Sequence, residues 1–162
     1  MGSKLFVENS LIVMYEKCGS VEDAQYVFDN MPVWDVVSWN AIIVGKFVHG
    51  FGKEALDLFE KMKSLNMKPN HITIIWVLSA CHHAGFVDEG WKYFDLMNEY
   101  YNVTPAIEHY YCMVYLFGHV GHLYEAYNLI TNMPVKPNAT VWASLLDSCR
   151  ICSNIELGER VA

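Results

Sequence analysis

The stretch "GFGKEALDLFEKM" (residues 50–62) contains the pattern that decides the fold. Gly50 is followed by a small residue after five positions, Ala55, by Phe59 after nine and by Met62 after twelve. The apolar residues are spaced as on one face of an α-helix. A glycine just before them easily adopts the left-handed conformation that ends a preceding helix. The stretch therefore predicts the end of one helix followed by a second helix.

The same pattern returns along nearly the whole chain. Five residues occupy the place of Gly50, at intervals of 31, 35, 36 and 32 positions: Gly19, Gly50, Gly85, Gly121 and Ser153. The residues five positions later are all small: Ala24, Ala55, Gly90, Ala126 and Gly158. The apolar positions nine and twelve residues later are Phe28, Phe59, Phe94 and Ile130, then Met31, Met62, Met97 and Met133. Periods in the thirties are typical of solenoids, whose units bury their apolar faces only against neighbouring units.

Each unit is predicted to contain two helices. The first is apolar at helical spacing, as in "NAIIVGKF" (residues 40–47), and ends at the anchor glycine. The second begins with acidic residues that suit the helix dipole, such as Glu22 and Asp23. A proline follows each second helix, as in "NMKPN", and is expected to stop it. The predicted class is therefore all-α.

Composition limits the classes of function. The chain is 53 % hydrophobic, and no apolar stretch reaches the roughly 18 residues that a membrane span needs. Its net charge of −7 argues against tight non-specific binding of nucleic acid. Five cysteines without a secretory signal do not suggest a disulfide framework. Met1-Gly2-Ser3 looks like an expression remnant, so we expect that a targeting segment is missing.

Candidate chemical groups are few. "CRIC" (residues 149–152) has the spacing of half a zinc site but no second pair of ligands, and Cys149 shares its repeat position with Cys81. We therefore expect structural cysteines. His82 and His83 are adjacent, so they point to different helix faces, and no carboxylate partner is evident. The sequence predicts no catalytic residue, no metal site and no cofactor, and the chain is not expected to be an enzyme.

The units resemble pentatricopeptide repeats of the plant PLS type, in which P, L and S units of different length alternate. The resemblance rests on stretches such as "NSLIVMYEKCGS" (9–20), "VLSACHHAGFVDEG" (77–90) and "TVWASLLDSCRICSNIELGER" (140–160). It implies a right-handed superhelical solenoid of antiparallel helix-turn-helix repeats over residues 1–162. The predicted units are 5–35 (S-like), 36–70 (P-like), 71–106 (L-like), 107–138 (S-like) and 139–162 (the start of an E extension).

The resemblance also implies that each unit reads one RNA base through its fifth and its last residue. In the first S-like unit these are Asn9 and Asp35, a pair that favours U. In the P-like unit they are Asn40 and Asn70, a pair that favours C and tolerates U. An Asn amide can both donate to and accept from a pyrimidine edge. The second residues of the first three units would sandwich the bases: Phe6, Val37 and Ile72.

Each of these assignments has a plainer alternative. Asn9 and Asn40 could be helix caps, and Asp35 and Asn70 could be ordinary loop residues. The three sandwiching residues could instead belong to the core.

The later units depart from the family pattern. The L-like unit has Ile75 and Ala106 at its two code positions, and neither can read a base edge through a hydrogen bond. The second S-like unit has Tyr111 and Asn138, a non-standard pair, with Glu108 at its sandwiching position. Where the family has an acidic residue and an arginine in "VDLLGR", this chain has Tyr115 and His119 in "VYLFGH".

Two functions remain open. The first is a single-stranded RNA recognition module of a mitochondrial or chloroplast C-to-U RNA editing factor, which reads 5′-U-C through its first two units. The second is a protein-interaction scaffold with little RNA binding of its own. As the resemblance implies, the L-like unit would bind multiple organellar RNA editing factor proteins and the E-like region would recruit a deaminase, and self-association is also open. A degenerate repeat kept only as a scaffold is a third reading.

Overall fold

The computed structural model describes residues 2–162, and that part of the chain forms ten helices and no strand. The predicted all-α class is confirmed. The helices are α1 (Gly2–Lys17), α2 (Val21–Asp29), α3 (Val36–Val48), α4 (Gly52–Ser64), α5 (His71–Ala84), α6 (Val87–Glu99), α7 (Ile107–His119), α8 (Leu123–Asn132), α9 (Ala139–Ile151) and α10 (Ile155–Val161). None of these described helices is long and apolar enough to cross a membrane.

The chain divides into two compact units, the first ending at Ala80 and the second beginning at Cys81, inside α5. In the first unit α1 packs against α2 and α3, and α3 packs against α4. In the second unit α7 packs against α6, α8 and α9, and α9 packs against α10. In both, a first helix therefore contacts its own second helix and the first helix of the next pair.

The anchor positions end the first helices as predicted. All five have positive φ angles: Gly19 (77°), Gly50 (86°), Gly85 (70°), Gly121 (83°) and Ser153 (55°). The left-handed conformation costs a glycine little, which explains why four of the five anchors are glycine. At the fifth, Ser153 adopts the same conformation although side chains other than Asn and Asp rarely do so.

The repeated apolar positions form the core, as their spacing predicts. The alanines of the small position, Ala24, Ala55 and Ala126, are wholly buried. The Phe-like and Met positions of all four units are at most 9 % exposed. At Gly90 a Cβ atom would meet the side chain of Leu116. Small residues are therefore needed where helices approach closely.

The prediction that proline stops each second helix is wrong for α4 and α6. The first ends at Ser64, five residues before Pro69, and the second ends at Glu99, six residues before Pro105. In each case an asparagine with positive φ follows, Asn66 at 56° and Asn102 at 54°. Asparagine tolerates the left-handed conformation better than most side chains, so it ends these helices before the proline can.

Two of the cysteines considered as candidates, Cys81 and Cys149, are placed as structural residues. Cys81 is fully buried and Cys149 is 2 % exposed, whereas Cys152 is exposed. Burial, reinforced by the charge of Glu89, raises the pKa of the Cys81 thiol to about 12. Because the thiolate is the reactive form, this thiol is a poor nucleophile at neutral pH.

Candidate nucleic-acid interface

Asn40 and Asn70 are joined by a side-chain hydrogen bond. The Asn40 Nδ2 atom donates to Oδ1 of Asn70 over 3.2 Å, across 30 residues of sequence. Asn40 is the fifth residue of α3, and the residue that caps α3 is Asp35. The alternative that Asn40 opens a helix is therefore wrong, and its amide is free to serve a tertiary role.

Thr73 fixes this pair in place. Its hydroxyl lies 2.6 Å from Oδ1 of Asn40, and its backbone N–H donates to Oδ1 of Asn70 over 3.0 Å. The backbone N–H of Asn70 donates to the Thr73 hydroxyl in return, over 3.1 Å. Asn70 thus caps the start of α5 and is not a plain loop residue. Because the amide group of Asn40 is hydrogen-bonded through both its nitrogen and its oxygen, it is held in one orientation.

The fixed Asn40 amide keeps half of its hydrogen-bonding capacity. An amide offers two donors and two acceptor sites. Asn70 takes one donor and Thr73 fills one acceptor site, so one of each remains. One donor beside one acceptor can pair with an adjacent acceptor and donor on the edge of a nucleic-acid base. Asn40 is half-buried, so part of its surface is open to solvent.

Asn9 and Asp35 form the corresponding pair one unit earlier. The Asn9 Nδ2 atom donates to Oδ1 of Asp35 over 3.2 Å, and the Ser38 backbone N–H donates to the same oxygen over 2.8 Å. Burial opposes ionisation of Asp35, but the hydrogen bonds from Ser38, Asn9 and the Val37 backbone outweigh it and lower the pKa of this carboxyl. Asp35 is thus an ionised acceptor and the cap of α3.

The two pairs differ in how their asparagines are satisfied. The Ser38 hydroxyl donates to Asp35 over 2.9 Å, whereas the Thr73 hydroxyl lies 3.0 Å from Oδ1 of Asn70 and also reaches Oδ1 of Asn40, at 2.6 Å. As a result Oδ1 of Asn9 is buried without a hydrogen-bond partner among residues 2–162. Asn9 is only 9 % exposed and lies inside α1, so it is not a cap either. The second pair is therefore the more accessible one.

The predicted sandwiching residues lie at the surface. Phe6 is 72 % exposed, Val37 53 % and Ile72 42 %. The alternative that they belong to the core is therefore wrong. Apolar side chains at such exposure gain free energy when a flat ligand covers them. Their contact with bases remains a prediction.

One groove brings the P-like pair together with its flanking residues. Val37, Asn40, Asn70 and Ile72 all line a groove of about 640 Å³, formed by α1, α3 and α5 within the first unit. Trp76 adds an aromatic wall. An apolar groove with a few convergent polar groups is the usual form of a ligand site.

The remaining code positions are not joined in this way. Ile75 is half-buried, and Ala106 precedes α7 with its N–H donating to Nδ1 of His109 over 3.1 Å. Tyr111 stacks on Tyr115 at 5.9 Å, and burial raises its pKa. Asn138 caps α9 by accepting from Val141 N–H over 3.0 Å. No hydrogen bond joins Tyr111 to Asn138 in residues 2–162.

Sequence reasoning missed two residues of this interface, Ser38 and Thr73. Both lie three positions after a capping residue, in "DVVS" (35–38) and "NHIT" (70–73). A capping residue with a polar side chain three positions later is a known start of a helix, and it was the signal that could have found them.

Tyr115 and His119, which depart from the family pattern, contact His82. The His82 ring lies 4.2 Å from the Tyr115 ring and 4.7 Å from the His119 ring. His82 is 6 % exposed, and its Nε2 atom has no hydrogen-bond partner in the described part of the chain. Burial, together with the nearby His83 and His119, lowers the pKa of His82 to about 4. Across residues 2–162 no three His, Cys, Asp or Glu side chains are grouped to hold a metal.

Acidification should therefore destabilise the fold through His82. Its folded-state pKa of about 4 lies below the ordinary 6.5, so the stability it contributes is present above pH 6.5 and is lost as pH falls towards 4. Between pH 7 and 4.5 we expect a loss of about 2 kcal/mol, which His82→Phe should remove. Urea unfolding at both pH values measures it. His122→Gln, at an exposed imidazole, is the control, and an unchanged pH dependence in His82→Phe would contradict the assignment.

The helix pairs and the capped asparagine groove define a helical-repeat protein. The PPR repeat family profile matches residues 34–83, and the PPR repeat profile matches residues 9–36 and 77–101. The chain belongs to the pentatricopeptide repeat family.

Relatives in Arabidopsis thaliana cover almost the whole chain. One pentatricopeptide repeat-containing protein, named mitochondrial, is 48 % identical over 154 residues, which are 95 % of this chain and 24 % of that protein. The pentatricopeptide repeat-containing protein DOT4, named chloroplastic, is 44 % identical over 156 residues, 96 % of this chain and 18 % of DOT4. The chain thus spans about a quarter or less of these relatives.

Solved structures share the fold. The pentatricopeptide repeat protein PPR10 in complex with an 18-nucleotide RNA element matches with a TM-score of 0.82 and 21 % identity, over 98 % of this chain and 24 % of PPR10. The PPR domain of Arabidopsis thaliana protein-only RNase P 1, in complex with tRNA, matches with a TM-score of 0.78 and 17 % identity, over 97 % of this chain and 86 % of that domain. The predicted helical-repeat solenoid class is thereby confirmed.

Proposed function

We propose that the chain is a single-stranded RNA recognition module of an organellar C-to-U RNA editing factor. Its first two units read 5′-U-C, one base per unit. The observation that carries this proposal is the groove in which Asn70 and Thr73 orient the Asn40 amide between the exposed Val37 and Ile72. Two solved proteins of this fold are complexes with RNA, and two relatives carry organelle names. On this proposal the chain binds and does not catalyse.

The uneven distribution of charge supports an RNA-binding role for the first compact unit, residues 1–80. The net charge of −7 speaks against RNA binding by the chain as a whole. Residues 1–80, however, contain seven lysines and nine acidic residues, whereas residues 81–162 contain four basic and nine acidic residues. Most of the excess negative charge therefore belongs to the second compact unit, residues 81–162, whose code positions are non-standard.

Base preference tests the proposal directly. The chain should bind a short RNA that contains 5′-UC about tenfold or more tightly than the same RNA with purines at those two positions, because one well-placed set of base contacts contributes about 1–3 kcal/mol. Fluorescence anisotropy at constant salt measures both affinities. Equal, weak binding that changes only with salt concentration would contradict the proposal.

Asn70→Asp should change the preferred base at the second position from C to U. Oδ1 of Asn70 makes the hydrogen bonds to Asn40 and Thr73, so an aspartate keeps them and replaces only the remaining NH₂ donor by an acceptor. The variant pair would equal Asn9 with Asp35. Anisotropy with UC- and UU-containing RNAs should show about a tenfold change in the affinity ratio.

Asn138→Asp is the matched control for this change. Asn138 also caps a helix through its Oδ1 atom, at α9, but no fifth-position asparagine contacts it. The control should leave the affinity ratio unchanged. If both variants shift it equally, the effect is one of overall charge and the assigned role of Asn70 is wrong.

A surface groove on the second compact unit, residues 81–162, supports an alternative function, a protein-interaction scaffold. Trp91 is 41 % exposed and its ring lies 5.8 Å from that of Phe117, at a tilt of 47°, beside Asp88 and Glu125 in a groove of about 530 Å³. On this proposal the L-like and E-like regions bind editing-factor proteins or a deaminase, or the chain self-associates. Analytical ultracentrifugation over a concentration range tests the last version, and a strict monomer would exclude it.

A further inference from the structure

A buried carboxyl group lies beside the groove that contains Asn40 and Asn70. Glu16 of α1 is only 8 % exposed, yet it lines the same groove as Asn40 and Asn70. Its Oε1 atom has no hydrogen-bond partner among residues 2–162. Buried acidic side chains are normally paired, so an unpaired one at a ligand site requires an explanation.

Gly45 provides the space that the carboxyl group occupies. A Cβ atom at Gly45 would overlap the Oε1, Cδ and Cγ atoms of Glu16. Gly45 lies five residues after Asn40 on α3, about one and a half helical turns further along. The carboxyl of Glu16 therefore rests against the same helix that presents Asn40 to the groove.

The carboxyl is mostly neutral at pH 7. Burial raises the pKa of Glu16 to about 8, and the nearby Gly45 backbone amide offsets only part of this rise. A neutral carboxyl tolerates its niche, whereas an ionised one needs solvent or a cation. On ionisation the flexible side chain can reach water most directly by turning away from Gly45 and into the groove.

The charged groups around Glu16 do not neutralise it. Lys17 and His49 line the groove, and Nε2 of His49 lies 2.7 Å from the backbone oxygen of Glu16, not from its carboxyl. Lys46 of α3 is engaged by Glu54 at 2.7 Å. The acidic residues of α2, which packs against α1, are all exposed: Glu22, Asp23 and Asp29.

We infer that Glu16 is a further determinant of RNA affinity in this groove: its neutral carboxyl admits the RNA, and its ionised carboxylate weakens binding. The carboxylate would repel the phosphates in a partly desolvated site, where charges interact more strongly than in water, and it would occupy part of the groove. This inference rests on the proposed RNA-binding function. It predicts that RNA affinity falls as pH rises from 7 to 9.

The size of the effect follows from the fraction of neutral carboxyl. With a pKa of about 8, roughly one molecule in ten keeps the proton at pH 9, so affinity for the UC-containing RNA should fall about tenfold between pH 7 and 9. The window lies above the range in which an ordinary imidazole titrates. Anisotropy titrations at constant ionic strength measure this.

Three variants separate Glu16 from other sources of pH dependence. Glu16→Gln keeps the shape without the charge, and its affinities at pH 7 and pH 9 should differ by less than about twofold. Gly45→Ala forces the carboxyl out of its niche, so binding should already be weak at pH 7. Glu16→Ala in the Gly45→Ala background leaves room for the new methyl group and should restore binding.

The possible results are distinguishable. If the wild-type chain binds RNA equally at pH 7 and 9, or if Glu16→Gln keeps the pH dependence, the inference is wrong and the proposed function stands. If the wild type binds no RNA in this range, the proposed function fails, and the inference fails with it. A ¹³C NMR titration of the Glu16 carboxyl then shows separately whether the group ionises near pH 8.

Discussion

Trp39→Ala should lower the free energy of unfolding by about 4 kcal/mol, because truncation of a fully buried tryptophan removes its packing and leaves a cavity. Trp39 is wholly buried at the start of α3. Its ring makes an edge contact with Phe28 of α2 at 4.8 Å and lies 6.0 Å from Trp34. The three rings hold the second helix of one pair against the first helix of the next, so the loss should destabilise the whole first unit.

Trp39→Phe is the matched control. The Nε1 atom of Trp39 is buried and has no hydrogen-bond partner in residues 2–162, so the tryptophan has an unsatisfied donor. Phenylalanine keeps an aromatic ring and removes that donor, and we expect a loss below about 1.5 kcal/mol. Urea unfolding followed by circular dichroism measures both variants. A Trp39→Ala variant within 1 kcal/mol of the wild type would show that this cluster does not hold the first unit together.

Features that depend on one helix and its ends could be predicted from the sequence. The repeat of small and apolar positions predicted the helix pairs. The anchor residues predicted where the first helices end in a left-handed conformation, including the end at Ser153. Both signals are local, since helical spacing and a φ angle depend on a residue and its near neighbours. The prolines did not predict the ends of α4 and α6, because Asn66 and Asn102 end these helices before the prolines are reached.

Features that depend on contacts between units could be predicted only in part. The resemblance paired Asn9 with Asp35 and Asn40 with Asn70, and both pairs are hydrogen-bonded, but whether they read bases stays a prediction. Sequence could not show that the two pairs differ in accessibility. That difference depends on whether the hydroxyl that lies beside the capping residue also reaches the fifth residue, as Thr73 does and Ser38 does not.

Glu16 shows most clearly which kind of contact the sequence does not predict. In "MYEKCG" (residues 14–19) a glutamate beside a lysine in the last turn of a helix reads as an ordinary solvated residue. Its burial depends on Gly45, 29 residues later, which leaves space on the next first helix. A glycine inside a helix has a general cost in propensity but does not indicate which side chain fills the space.

Glu16→Gln should therefore stabilise the chain at pH 8, by about 3 kcal/mol. The folded-state pKa of Glu16, about 8, lies above the ordinary value of 4.5. The folded chain thus holds a proton that the unfolded chain releases between these values. The stability that this group contributes is fully present below pH 4.5 and is lost as pH rises towards 8. Glutamine keeps the shape and has no proton to lose, so its stability should not fall over this range.

Urea unfolding of the wild type and of Glu16→Gln at pH 5.5 and 8 measures this gain without any RNA. The gap between the two proteins should widen with pH, because the unfolded wild-type chain is favoured increasingly by its ionised carboxylate. Glu22→Gln, at an exposed position in the first turn of α2, is the control, and its gap to the wild type should stay within about 0.5 kcal/mol at both values. A gap for Glu16→Gln that is equally small at pH 5.5 and 8 would mean that the carboxyl ionises freely in the folded chain. The groove would then contain a negative charge at neutral pH, and Glu16 could not control RNA binding through its protonation.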